Sequence, residues 1–346
     1  MKANVKKLAV STVKILAFPV FVVALFAVLT EGRIVNVRTL STVLRQSVYP
    51  AIICYALVLN MTMGAMNFAA GAVIVCASIF GGNLMVATGT GIVGLFVMCL
   101  LAALVLSAIM GALYNVMRIP MIVLAIGMVM VYEAVPRLLY EEGVKIPFNM
   151  TYMATAPYCF IVLAVMMIFF YLLYFKTAFG HNLRALGSNQ EIAINVGLNN
   201  DRIKFLCFIF SGVFLGIAAT LYLSNQREVR NVTMLNSMLI MMESFMCMFL
   251  AFFLSRFGNL TFAVLIGTFT MKFITTGFST LGISPTVRDI ATGLLLFILF
   301  AMSANQGILK YIRSQNENAR IANEEYLQKK QAQAADAADK NSTKEV

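Results

Sequence analysis

The sequence predicts an all-α, polytopic membrane protein, a bundle of about ten transmembrane helices in which some helices are broken within the bilayer. Three observations predict it. Of 346 residues, 60% are hydrophobic and only 12% are charged, which leaves more apolar surface than a soluble domain of ordinary composition carries. The mean hydropathy of the whole chain is positive. The apolar residues also gather into runs of about 17 to 25, the length that crosses a hydrocarbon core about 30 Å thick.

Taken in order, the first run lies near residues 8–29, behind Lys2, Lys6 and Lys7. It is too long for the apolar part of a secretory signal and has no Ala-x-Ala site, so it is expected to stay as the first helix. Further spans are expected near 47–66, 68–87, 91–117, 119–139, 157–175, 205–224, 237–254, 260–276 and 287–304. Gly64 to Asn67 divides the second from the third, and Gly258-Asn259 divides the eighth from the ninth. Irregular backbone persists in a membrane only where protein or water covers it, so both breaks mark candidate functional regions. Residues 1–305 are read as the membrane domain and 306–346 as a charged cytoplasmic tail. From Lys310 onward seven basic residues face six acidic ones among Ala, Gln and Asn, a composition that stays solvated.

The formal charge of +11 sits in short clusters between apolar runs and forms no continuous patch, so it reads as topology rather than nucleic-acid binding. Lys176, Arg184, Arg202 and Lys204 place the loop 176–204 in the cytoplasm, on the side of the N-terminal lysines, and six spans between the two agree in parity. Both termini are then cytoplasmic. Glu141 and Glu142 against Lys145 suit the outside. Arg33, Arg38 and Arg45 argue against this orientation, since it places them outside; a short amphipathic helix carrying Leu40, Val43, Leu44 and Val48 would hold them at the interface.

Covalent chemistry has little support. Cys54, Cys76, Cys99, Cys159, Cys207 and Cys247 lie in or beside apolar segments without a Cys-x-x-Cys pair, as small buried hydrophobes do. His181 is the only histidine, so no metal site or histidine relay is expected. No nucleophile constellation is found, and the chain is read as a non-enzyme. No Gly-x-x-x-x-Gly-Lys-Ser/Thr loop occurs, so it binds no ATP of its own by that device.

Three stretches carry a resemblance. The first is Asn36-Val-Arg-Thr-Leu through Arg45-Gln-Ser-Val-Tyr-Pro-Ala51, followed by Gly64-Ala-Met-Asn67-Phe-Ala-Ala-Gly71. The second is Thr177-Ala-Phe-Gly-His-Asn-Leu-Arg-Ala-Leu-Gly-Ser-Asn189-Gln-Glu-Ile-Ala-Ile-Asn-Val-Gly197, with Arg202-Ile-Lys and Phe210-Ser-Gly behind it. The third comprises Gly267-Thr, Gly277, Leu281-Gly-Ile-Ser-Pro, Arg288-Asp-Ile and Gly293-Leu-Leu-Leu. In order and spacing, over about residues 36 to 303, the chain resembles the permease subunits of ribose-type ABC importers, the binding-protein-dependent inner-membrane components for carbohydrate uptake in bacteria. Asn67 and Ala69 stand where those permeases carry Asp and Ser. Phe249-Leu250 and Arg256-Phe257 stand where they carry Gly-Gly pairs, so close helix packing is expected to differ there.

The resemblance implies a multi-pass protein of the bacterial plasma (inner) membrane with broken helices near the pore. It implies a paired permease, as homodimer or heterodimer, that takes a small sugar-like or nucleoside-like solute from an extracytoplasmic binding protein. A separate ABC ATPase subunit, holding ATP and Mg, would supply the energy, with no cofactor on this chain and no nucleic acid. It also implies that the loop containing Gly187, Asn189, Glu191, Ile192, Ala193, Val196 and Gly197 is the coupling helix. The residues agree: Asn189 suits an N-cap, Glu191 a first turn and Gly197 a helix end, with Ile192, Ala193 and Val196 expected on one apolar face.

Polar residues inside apolar runs are expensive and mark candidate solute contacts. Asn60, Thr62, Asn67 and Glu243 are the candidates for the substrate path, although the asparagines would equally serve helix-to-helix bonding. Glu133 and Lys272 lie in spans but near enough to edges to snorkel. Gly64, Gly71, Gly212 and Gly216 are read as packing glycines, and Met238, Met241, Met242, Met246 and Met248 as packing or lipid-facing surface. The alternative function is an ion-coupled secondary transporter with Glu133, Glu243 or Lys272 as its carrier; a membrane-embedded enzyme ranks third.

Overall fold

The computed structural model describes residues 18–304, and they are almost entirely helical. In chain order the helices are α1 (Phe18–Leu29), α2 (Val37–Gln46), α3 (Val48–Thr62), α4 (Ala70–Thr88), α5 (Gly91–Met117), α6 (Met121–Leu139), α7 (Tyr158–Tyr171), α8 (Ala178–Ser188), α9 (Gln190–Asn195), α10 (Asn200–Gln226), α11 (Ser237–Leu254), α12 (Leu260–Thr280) and α13 (Pro285–Ala304). Every expected span meets a helix. Among the described residues, eight spans are long and apolar enough to cross a membrane. The other two expected spans correspond to α1, whose expected start at residues 8–17 lies outside the described residues, and to α13. The tail beyond 304 also lies outside them. The chain divides into two compact units, Met1–Leu296 and Phe297–Val346, and of the second the described part is the end of α13.

Burial sorts the helices of the first unit into a centre and a rim. In α4, in α10 and in the span Val37–Thr62, 72% of the apolar window is covered by protein, against 22% for α5 and 28% for α7. α5 therefore shows most of its circumference to its surroundings and buries one stripe. Cys99, Ala103, Ser107 and Gly111 on that stripe recur every four residues, which places them on one helix face. The stripe packs on α10, where a Cβ on Gly212 would sit 2.8 Å from Ser107 Cβ and one on Gly216 2.7 Å from Leu100 Cα. Small residues on both sides let the two backbones approach, the usual way helices associate in lipid. Polar side chains finish the interior: Asn60 donates to Ser211 Oγ at 3.1 Å across α3 and α10, and Tyr55 donates to the Thr261 carbonyl at 2.9 Å.

A short amphipathic helix does occur, α2, but it carries only Arg38 and Arg45; Arg33 lies before it on a 3-10 turn, Arg33–Val35, and Val48 already belongs to α3. Of the expected apolar face on α2 only Val43 is buried, Leu40 and Leu44 being exposed, and the helix runs almost without interruption into α3 through Ser47. Asn36 caps it, accepting from the Arg38 N–H at 3.2 Å. Where α10 ends, a two-residue antiparallel ribbon pairs Val144-Lys145 (β1) with Glu228-Val229 (β2). Asn83 of α4 donates to the Gly143 carbonyl beside it at 3.0 Å. Hydrogen bonding to Arg230 at 2.7 Å holds the exposed Glu228 carboxyl below the ordinary carboxylate range.

The six cysteines are buried and unpaired. Gly64 stands at φ +81° with open space where a Cβ would be, so its part in the α3–α4 break is a left-handed turn rather than close packing. Gly71 does pack closely, against the Ser237 carbonyl at the start of α11. On α12, Gly267 lies against Ala251 and the Cys247 carbonyl of α11, so these two helices meet closely although Phe249-Leu250 replaces a glycine pair.

Candidate functional site

The end of the bundle opposite the ribbon is built from α8 and α9. Thr177 caps α8 by accepting from the Gly180 N–H at 3.2 Å. Asn189 caps α9 by accepting from the Ile192 N–H at 3.1 Å, and Glu191 occupies the first turn, where the helix dipole favours an acid. At φ +93°, Gly197 closes α9, with the Leu198 N–H donating to the Ala193 carbonyl at 3.1 Å. That combination of left-handed glycine and backward hydrogen bond is how many helices stop.

The surface of α9 differs in one respect from the expected face. Ala193 is buried, turned toward the bundle, whereas Ile192 is 61% and Val196 79% exposed. Residues 192 and 193 differ by about 100° around the axis, and the inward stripe takes the smaller side chain. A cleft of ≈ 480 Å³ runs beside α9, lined by Gln190 and Ile194, by Asn115 and Arg118 at the end of α5, and by Asn200 and Lys204 of α10. The side-chain oxygens of Asn115 and Asn200 are buried without a hydrogen-bond partner.

This end is tied to the centre of the bundle. Gly187 of α8 abuts the Thr62 carbonyl at the end of α3 so closely that any Cβ would collide. Thr62 Oγ1 lies 3.4 Å from Tyr174 Oη, and Tyr174 sits on a π-helical turn, Leu172–Lys176, that continues α7. The Arg184 guanidinium of α8 rests 5.3 Å from the Tyr174 ring. From Tyr174 the rings continue through Phe170 at 5.3 Å to Tyr55 of α3 at 4.6 Å. Tyr174 and Arg184 were not among the expected site residues; a tyrosine and an arginine bracketing Thr177-Ala-Phe-Gly was the signal for them.

The polar residues expected on a solute path fall at separate places. Asn60 is 1% exposed, between Ser211 and Cys207 of α10, and Thr62 joins α3 to the π turn. Asn67 is 3% exposed and accepts from the Ala69 N–H at 3.0 Å, folding the chain into α4. Glu243 of α11 pairs with Lys272 of α12 at 2.7 Å, beneath Tyr49 of α3, whose ring centroid is 5.5 Å from Lys272 Nζ. No sequence pattern joins these two charges; only the packing of α11 on α12 does.

Glu133 has a separate, structural office. Its carboxylate accepts from the Leu235 N–H at 3.0 Å, the Ser237 N–H at 2.9 Å and the Ser237 hydroxyl at 2.6 Å. An acid borrowed from α6 thus caps α11, where Met234 and Leu235 stand at φ 58° and 64°. Each buried donor left unpaired costs about 1–3 kcal/mol. Glu133→Leu is therefore expected to lower stability by about 3 kcal/mol or more, seen as a lower unfolding temperature in detergent, with Glu133→Gln losing less.

The fold and this end together define a class, a polytopic helical membrane protein with a capped helix presented outside its spans. Residues 39–300 match the family model described as branched-chain amino acid transport system / permease component. The chain belongs to that family of ABC-type permeases, which takes in the ribose- and galactose-type subunits. No curated protein and no solved structure matches. The family is one of transport components that work with an ATPase and a binding protein, not one of enzymes.

Proposed function

We propose that the chain is the permease subunit of an ABC importer in the bacterial plasma (inner) membrane, with both termini and the α8–α9 end in the cytoplasm. It works as one of a pair and passes a small sugar-like or nucleoside-like solute, delivered by an extracytoplasmic binding protein. ATP and Mg reside on the ATPase partner, and this chain needs no cofactor. The observation that carries the reading is α9, a helix capped at both ends that exposes Ile192 and Val196 outside the spanning segments. A small apolar face with a polar cleft beside it suits a protein partner.

The mechanism follows from what α8 touches. ATP-driven closure of the partner displaces α9, and α8 passes the displacement to Thr62 at the end of α3 through the Gly187 contact and the Arg184–Tyr174 stack. α3 ends there, at the Gly64–Asn67 break, so movement opens or closes a break instead of bending a continuous helix. Alternation between outward and inward openings is then a population shift set by ATP binding. The ion-coupled alternative has less support, since Glu133 is engaged by α11 and Glu243 and Lys272 are paired with each other. Purified alone, the chain is expected to hydrolyse no ATP and to stimulate hydrolysis once an ABC ATPase subunit is added. Hydrolysis by the pure chain, or no association with any such subunit encoded beside it, would contradict the reading.

A further inference from the structure

The cleft between α5, α9 and the start of α10 is lined by two cations, Arg118 and Lys204. Among the described residues, no ion pair engages either of them. Arg118 ends α5 in a left-handed turn, at φ 53°, and is exposed. Lys204 is half-buried, its Nζ 5.2 Å from the centroid of the Tyr114 ring, which stands edge to face on Phe208 of α10 at 5.9 Å. One acid, Asp201, lines the same cleft. The walls are tied together, because Asn115 of α5 donates to the Asp201 carbonyl at 2.7 Å. α9 turns Gln190 and Ile194 to the cleft, about 200° around the axis from Ile192 and Val196, so a protein on the outer face leaves the cleft open. α5 is also the span with the smallest share of its apolar window covered by protein. Leu101, Val105 and Ala112 are exposed and share one flank of the helix, which leads to Asn115.

We propose that this cleft binds the phosphate of an anionic phospholipid in the leaflet on the α9 side, with Arg118 and Lys204 on the headgroup and the flank Leu101, Val105 and Ala112 against an acyl chain. The proposal goes beyond the permease reading and needs only that α5 spans a membrane. Basic pockets between spanning helices at a membrane surface suit such headgroups. The guanidinium can fork onto two phosphate oxygens, and the ammonium adds a point charge. A free phosphate would use the cations and leave the apolar flank without a part, whereas a lipid uses both. Two cations against one acid leave about one net positive charge, which sets a preference of about fivefold over a zwitterionic lipid. The bound headgroup then fastens α9 to the end of α5 across the cleft.

The chain has no tryptophan, so Val105→Trp reports on lipid at acyl depth along that flank. The full chain with this substitution is reconstituted in phosphatidylcholine vesicles containing either phosphatidylglycerol or phosphatidylcholine with brominated acyl chains, and fluorescence quenching gives their relative association. Brominated phosphatidylglycerol is expected to associate about fivefold more strongly. Arg118→Gln with Lys204→Gln should bring the ratio to about one. Arg118→Lys with Lys204→Arg keeps both charges, should retain the preference and guards against misfolding of the neutral variant. Lys176→Gln with Arg202→Gln removes two charges of the same end from outside the cleft and should leave the preference in place. Inorganic phosphate should displace no more lipid than chloride at equal ionic strength. A ratio of one in the parent chain, a ratio unmoved by the neutral cleft variant, or an equal loss in the Lys176 and Arg202 variant would overturn the proposal. So would displacement by phosphate, which would make this a site for a free anion. Loss of ATPase co-purification in the neutral cleft variant at an unchanged lipid ratio would also overturn it and assign the cleft to a protein. The quenching ratio involves neither transport nor ATPase association, so its failure leaves the permease reading standing.

Discussion

Ile192→Asp with Val196→Asp is expected to abolish association with the ATPase subunit and to reduce transport to background while the protein still inserts and folds. Both side chains point away from the bundle, 61% and 79% exposed, so neither charge disturbs packing within the chain. In a docked complex the same charges would be desolvated without a partner, which costs more than a small contact can offset. Co-purification with the ATPase reads the first effect and vesicle uptake the second. Ala193→Asp is the informative contrast. That residue is 5% exposed, and its replacement should lower the yield of folded protein instead of uncoupling it.

Gly216→Leu is expected to prevent assembly of the bundle. The added Cβ alone would approach Leu100 Cα to 2.7 Å and Ala103 Cβ to 3.2 Å, and backbone cannot yield as a side-chain tip does. Overpacking of a tight core typically costs about 1–3 kcal/mol, occasionally more. Here the misfit falls between α5 and α10, the pair in most extensive contact, so the upper end of that range is expected, read as loss of the monodisperse peak in size-exclusion chromatography. Gly127→Leu, where nothing lies within 4 Å of the added Cβ, should leave the peak unchanged.

Much of this architecture was legible because it is local. The Asn189 cap, the Gly197 stop, the Gly64–Asn67 break and the amphipathic α2 each follow from a few neighbouring residues, and each occurs in the structure. Which side chains meet across the bundle was not legible. Glu133 reaches Ser237 across 104 positions, and Glu243 meets Lys272 across 29; neither distance leaves a periodic trace. Between these lies the small-residue stripe Cys99, Ala103, Ser107 and Gly111. It could have been read from its four-residue spacing, but without the partner helix it indicates contact and not with what. The inward turn of Ala193 was missed because a six-residue helix is too short for its periodicity to fix a face.

The central claim, that α9 is the contact with an ABC ATPase, is tested most directly by placing a photo-reactive amino acid at Val196 and irradiating intact membranes. The account predicts a covalent adduct whose mass-spectrometric peptides belong to a protein carrying a phosphate-binding loop, lost when ATPase docking is disrupted by Ile192→Asp. Adducts to lipid alone would mean that α9 lies on the bilayer surface, and would contradict it.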